Sequence, residues 1–264
     1  MKLSISNIAW SEEKDMSVLN MMKSMGFEGL EIAPTRIFPN NPYEKTKEAA
    51  KWVKEIENKY GVRISSMQSI WYGRNEKLFG TEEERTILLD YTKKAIEFAE
   101  IIGCGNLVFG CPRNRNILED SNIEVSIDFF NTIGEYALKH NTVVGIEANP
   151  PIYNTNFINT TESAFDLIKK VDSEGFKLNL DIGTMIQNKE DISILNGREQ
   201  FINHIHISEP SLSIIERRPI HKVLYELLEC YGYNGFVSIE VGRQDNLDVI
   251  EKMMKYVKSI FGEK

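Results

Sequence analysis

The sequence predicts a closed parallel barrel of eight strands alternating with helices, the (β/α)8 TIM-barrel architecture of the α/β class. Three observations carry this. A short apolar strand followed by an amphipathic helix recurs over about 250 residues. No low-complexity stretch or linker interrupts the pattern, so residues 1–264 read as one domain. The alternative, an open doubly wound sheet, favours a glycine-rich phosphate loop after an early strand, and neither GxGxxG nor GxxxxGK[ST] occurs. The glycines of "GCGNLVFG" precede a strand and do not open a helix.

The strands are expected at "LSISNI" (3–8), "GLEIAP" (29–34), "VRISSMQSI" (62–70), "NLVFGCP" (106–112), "TVVGIEANP" (142–150), "FKLNLDIG" (176–183), "INHIHISEP" (202–210) and "FVSIEVG" (236–242). Helices fall between them. "EEKDMSVLNMMKSMG" closes on Gly26, a C-cap residue. "TEEERTILLDYTKKAIEFAEIIG" opens with Thr81 and Glu84 at capping-box spacing. "TESAFDLIKKV" and "NLDVIEKMMKYVKSIF" repeat the amphipathic pattern, and Pro219 in "ERRPIHK" starts another helix, with His221 expected at the cap or surface.

Composition narrows the function. Hydrophobic residues make up 42% and charged residues 27%, enough apolar material for a sizeable core. A net charge of −8 counts against a nucleic-acid binder. No apolar run approaches the ~18 residues of a membrane span. Cys104, Cys111 and Cys230 lack CxxC spacing and read as reduced thiols. "MKLSISNIAW" lacks a secretory pattern, so a cytoplasmic location is expected.

Side chains of a strand alternate between two faces. In "VVGIEAN", Val144 and Ile146 oppose Gly145 and Glu147; in "KLNLDIG", Leu178 and Leu180 oppose Asn179 and Asp181. In "NHIHISE", Ile205 and Ile207 oppose His204, His206 and Ser208. In "FVSIEVG", Val237, Ile239 and Val241 oppose Ser238 and Glu240, and in "EGLEIAP", Leu30 and Ile32 oppose Gly29 and Glu31. Aliphatic residues therefore face the helices and polar ones the barrel axis, with an ionisable group near the C-terminal end, where barrel active sites form. Carboxylates buried together need a neutralising charge. One divalent cation supplies it, and three carboxylates with one imidazole suit Mn²⁺, Mg²⁺ or Co²⁺, with Zn²⁺ a further candidate. His206 reads as a ligand at the barrel mouth and His204 as a hydrogen-bonded core residue one layer below.

"GIEANP", "LNLDIGTM", "HIHISEP" and "GYNGFVSIEVG" together resemble the xylose-isomerase-like TIM barrel superfamily, the sugar phosphate isomerase/epimerase group that includes the ketose 3-epimerases. The resemblance runs from "MKLSISNIAW" to the last strand. It implies a metal site of Glu147, Asp181, His206 and Glu240, with Glu147 and Glu240 also the acid/base pair. The chain departs from the ketose epimerases at Tyr153, where they carry a glutamate, and at Thr184, where they carry a histidine; Arg217 or Arg218 stands in for their arginine after the metal histidine. The superfamily's endonuclease IV branch uses three zinc ions and additional histidines, which a chain with 4 histidines does not supply.

The chemistry expected is proton transfer beside a carbonyl through a metal-bound enediolate, which gives epimerisation or aldose–ketose isomerisation of a small sugar or polyol ketone. Alternatives are a lyase of the inosose-dehydratase type and a non-catalytic carbohydrate-binding barrel. Candidate substrate contacts are Glu31, Trp71, Arg113, Arg115, Glu209 and Arg217, with "WYGRN" and "CPRNRN" on the rim. A homodimer is a candidate assembly, and loss of Lys264 is expected to be silent.

Overall fold

A computed structural model describes residues 1–118 and 122–262; Lys264 lies outside the described residues. Eight parallel strands close into a barrel in the order β1 to β8. They are β1 (Lys2–Ser6), β2 (Gly29–Ile32), β3 (Arg63–Met67), β4 (Leu107–Phe109), β5 (Val144–Ile146), β6 (Phe176–Asp181), β7 (Ile202–Ile207) and β8 (Phe236–Ile239). β8 pairs with β1 from Lys2↔Phe236 to Ile5↔Ile239, which removes both sheet edges. Every expected strand is present, but each ladder stops two to four residues before the apolar pattern does. The residues left over turn outward and build the rim.

Among the described residues the longer helices are α1 (Asp15–Met25), α2 (Thr46–Tyr60), α3 (Glu82–Ile101), α4 (Glu124–Lys139), α5 (Thr161–Val171), α6 (Ile182–Asn188), α7 (Pro219–Tyr231) and α8 (Leu247–Phe261). α8 buries Ile250, Met253, Met254, Val257 and Phe261, a stripe at helical spacing that faces the strands. α1 ends at Gly26 with φ 74°, the left-handed cap expected of it. Pro219 is the first residue of α7, as its fixed φ favours. His221 is neither cap nor surface: it is fully buried, with Nδ1 2.9 Å from the Tyr256 hydroxyl.

α3 opens with the complete capping box, in which the Glu84 amide donates to Thr81 Oγ1 (3.2 Å) and the Thr81 amide to Glu84 Oε2 (2.9 Å). Thr81→Ala leaves a helix-end amide without its acceptor and should cost about 1 kcal/mol. Equilibrium denaturation measures this as a lower midpoint at constant slope.

The barrel interior is polar and closely filled. Ser4 and Ser65 hydroxyls lie 2.6 Å apart, Ser238 Oγ donates to Ser4 Oγ (3.2 Å), and Asn106 Nδ2 donates to Ser66 Oγ (2.9 Å). Such groups stay buried because each supplies a hydrogen bond to another. Gly145 is part of the same layer: a Cβ there would stand 2.9 Å from Asn106 Oδ1 and 3.1 Å from Asn179 Cβ. This layer is the floor on which the ionisable residues sit.

Candidate metal centre and its surroundings

Four strands deliver four side chains to one point. Asp181 ends β6 and His206 lies in β7, while Glu147 and Glu240 follow β5 and β8 by one residue. Their main chains remain tied to the neighbouring strands, through the Glu147 amide to Phe109 O (3.1 Å) and the Glu240 amide to Ile207 O (3.0 Å). One ligand atom from each of Glu147, Asp181, His206 and Glu240 lies within 4.8 Å of all the others. His206 Nδ1 is 3.0 Å from Glu147 Oε1 and 3.2 Å from Glu240 Oε2.

Three of the four donors, Glu147, Asp181 and His206, are fixed from behind. Asn179 Nδ2 donates to Glu147 Oε1 (2.9 Å) and Asn149 Nδ2 to Glu147 Oε2 (3.0 Å). Gly110 leaves room for this carboxylate, since a Cβ there would stand 2.9 Å from Glu147 Oε2. Asp181 is also the N-cap of α6, accepting from the Thr184 amide (2.5 Å) and from Ser208 Oγ (2.5 Å). Strand end and helix start thus hold one carboxylate rigidly. His206 Nε2 lies 2.8 Å from Glu31 Oε2, which also accepts from His204 Nε2 (3.1 Å), while Gln68 Nε2 donates to Glu31 Oε1 (2.9 Å).

The electrostatics follow from burial. Glu240 is pushed up to about 7 by burial, with Glu147 and Asp181 adding repulsion against the attraction of His206. Asp181 is pushed up to about 6 by burial and by Glu147. Burial opposes charge on His206, but the carboxylates of Glu240 and Glu31 outweigh it and raise this imidazole well above its usual range. Burial also opposes ionisation of Glu31, yet the two imidazoles hold its carboxyl well below the carboxylate range. Burial lowers His204, which keeps it neutral beneath the site. Without a cation, the proton on His206 Nδ1 supplies the positive charge that the carboxylates require.

This donor set fits a divalent cation. Three buried carboxylates and an imidazole converge, and the Glu31 carboxylate fixes a proton on His206 Nε2, which turns the Nδ1 lone pair toward the centre. Glu31 therefore lies beneath His206, fully buried, and does not line the cavity. Glu31→Gln removes the charge that sets this tautomer and should weaken Mn²⁺ binding by about 10–100-fold. Calorimetric titration of the metal-free protein reads the change.

The cluster opens into a cavity of about 160 Å³ lined by Gln68, Asn149, Tyr153 and Ser208 among others. Tyr153 Oη accepts from the Ser211 amide (2.9 Å), and burial with the nearby carboxylates raises its hydroxyl to about 12. It stays protonated and can donate. Alternation along "GIEAN" and "ISSMQS" places Asn149 and Gln68 on the inward rows, so that signal was available for both.

The candidate substrate contacts separate. Arg113 is exposed on the rim. Arg115 is fully buried behind β5, donating through Nη1 to Glu147 O (2.9 Å) and through Nη2 to Asn149 Oδ1 (2.9 Å), so it positions the strand end and does not line the cavity. Burial lowers this guanidinium only to about 10, and it remains charged. Trp71 is 2% exposed, packs on Phe109 and Phe129, and donates from Nε1 to Thr92 Oγ1 (2.8 Å), so its ring serves the core. Glu209 accepts from Arg218 Nε (2.6 Å) and the Glu216 amide (3.1 Å) and braces the following loop. Arg217 stacks on Tyr256, 5.5 Å from the ring centre, and does not line the metal-centre cavity. For Trp71, Arg115, Glu209 and Arg217, local polarity could not distinguish a side chain facing the mouth from one facing the helices.

No curated protein matches the chain. Among solved structures, it is similar over 98% of its length to 99% of the 3-keto-D-glucoside 4-epimerase of E. coli, at 18% identity and a TM-score of 0.76. It is similar over 99% of its length to 99% of D-psicose 3-epimerase from Clostridium cellulolyticum H10, at 16% identity and a TM-score of 0.79. A probable 3-DHS dehydratase from Bacillus anthracis aligns with 98% of this chain over 99% of its own, at 16% identity and a TM-score of 0.69. At such identities these likenesses show the fold. The family model described as the xylose isomerase-like TIM barrel matches residues 19–260, and the chain belongs to that family.

Proposed function

We propose that this protein is a divalent-metal-dependent sugar isomerase or epimerase that moves a proton beside a carbonyl of a small sugar or polyol ketone. The observation that carries the reading is the convergence of Glu147, Asp181, His206 and Glu240 around His206 Nδ1, whose opposite nitrogen is engaged by Glu31. Held by those four residues, an Mn²⁺, Mg²⁺ or Co²⁺ ion would polarise the substrate carbonyl and stabilise the charge that develops on its oxygen.

Glu147 and Glu240 come from strands on different sides of His206 and both line the cavity. One takes the proton from the carbon beside the carbonyl, and the other returns it. Return to the opposite face of the same carbon inverts it; return to the former carbonyl carbon, with the hydroxyl proton passing from one oxygen to the other, exchanges aldose and ketose. Asn149 and Asn179 hold the Glu147 carboxylate in plane, and protonated Tyr153 offers a hydrogen bond to a substrate oxygen. The solved epimerases of the same fold support a sugar as the substrate class. Three free cysteines fit a reducing compartment.

Solvent-deuterium exchange, read by NMR on protein loaded in turn with Mn²⁺, Mg²⁺ and Co²⁺, tests the reading on ketoses, 3-keto-glycosides and inososes. Loss of the signal beside the carbonyl is expected for at least one compound. Absence of exchange with every compound and metal sinks the proposal, and an enone absorbance in its place reassigns the site to a lyase.

A further inference from the structure

We infer that the substrate carries a phosphate or carboxylate group, and that Arg113 receives it in a second chamber beside the proton-transfer site. This rests on the proposed function and names its substrate class. The metal-centre cavity holds about 160 Å³. It adjoins a larger cavity of about 520 Å³, with Ser69, Cys111 and Pro112 lining both. The two spaces are therefore neighbours, one at the carboxylates and the other at the loops after β3 and β4.

The walls of the two spaces differ in charge. Glu147, Asp181 and Glu240 line the first, whereas Arg74, Lys77 and Arg113 line the second without a carboxylate. In a chain of net charge −8 this is a local reversal, and it suits a ligand with its carbonyl at one end and its anion at the other. The cations have separate tasks. Arg74 is engaged by Glu76 and stacks on Tyr91, 5.0 Å from the ring centre. Lys77 Nζ donates to Arg113 O (2.7 Å). The Arg113 guanidinium is exposed and has no protein partner among the described residues, leaving its fork available for an oxyanion.

The chamber is built in advance of binding. Asn114 Nδ2 donates to Arg74 O (3.1 Å) and Glu76 O (2.8 Å), and the Leu78 amide donates to Asn114 O (2.7 Å). Together with the Lys77 bond, these lace the two loops into one wall. Between the two spaces, Ser69 (φ 55°) and Cys111 (φ 43°) hold the left-handed conformation that residues with a Cβ rarely adopt. Tyr72, 70% exposed on the same wall, offers a face for a sugar ring.

Calorimetric titration of the metal-loaded protein with D-fructose, D-fructose 6-phosphate and D-fructuronate tests the inference. One of the two anionic ketoses should bind at least about tenfold tighter than fructose, and the tighter one identifies phosphate or carboxylate as the group received. In Arg113→Met that advantage should disappear, and Arg113→Lys should restore part of it. Equal affinity for all three ketoses, or an advantage that survives Arg113→Met, overturns the subsite. A protein that shows the Arg113-dependent preference yet exchanges no deuterium keeps the subsite and loses the proton-transfer reading, so the two failures are distinct.

Discussion

Glu147→Gln and Glu240→Gln are each expected to reduce the proposed epimerisation by about a thousandfold or more, within the range for loss of a positioned acid or base. Glutamine preserves side-chain length and one carbonyl oxygen but cannot take up a proton. Mn²⁺ affinity should therefore fall far less than turnover, which separates a base from a mere ligand. The variants also tell the two glutamates apart. With one base missing, the other can still exchange deuterium into the epimer whose C–H bond faces it, so residual exchange from a single epimer assigns each glutamate to a face. Rates near those of the unaltered protein in both variants would rule out the two-base scheme.

Mn²⁺ is expected to raise the melting temperature, with a gain that widens as pH rises from 6.5 to 8. The sign follows from the groups around His206. In the metal-free fold, Glu240 sits near 7 and His206 well above its usual range, so both hold protons that the unfolded chain has released. A folded pKa above the unfolded one gives stability that is lost as pH rises, and the metal-free protein weakens through this window. Asp181, near 6, contributes in the same direction at the lower edge. His204 and His221 are lowered, the latter to about 4, and oppose the trend until about one unit above their unfolded value of about 6.5, so they offset part of it at the lower edge of the window. Glu31 is lowered and already ionised in both states above about pH 5, so it adds no slope. The cation displaces the proton from His206 Nδ1 and becomes more favourable as protons grow scarce. At a hundredfold excess over its dissociation constant it contributes about 2.7 kcal/mol, or roughly 5–10 °C for a domain of this size. Scanning calorimetry with Mn²⁺ or with chelator measures the gap, and a gap that narrows toward pH 8 contradicts the assignment.

Within the sequence, period-two alternation was enough to place Glu147, Asp181, His206 and Glu240 on inward rows, because a strand side chain has only two faces to choose from. Alternation also set His204 below His206 and supplied the eight strands. It failed in the loops. Trp71, Arg115 and Glu209 follow their strand ends by four, six and two residues, and Trp71 packs on Phe109, Arg115 caps the carbonyls behind β5 and Glu209 grips Arg218. A loop has no fixed period, so its side-chain directions depend on partners distant in the chain, such as Thr92 for Trp71.

By itself the sequence determined the barrel and the quartet of ionisable residues at its mouth, since both follow from local spacing and from the cost of burying charge without a counterion. Only the tertiary structure decided that Glu31 orients His206 across the barrel from β2, that Asn149, Asn179 and Ser208 fix the carboxylates, and that Arg113 alone among the candidate arginines faces an open chamber. Apart from Asn149, two positions from Glu147, those contacts join residues tens to hundreds of positions apart, and closure of the barrel is what brings them within hydrogen-bonding distance.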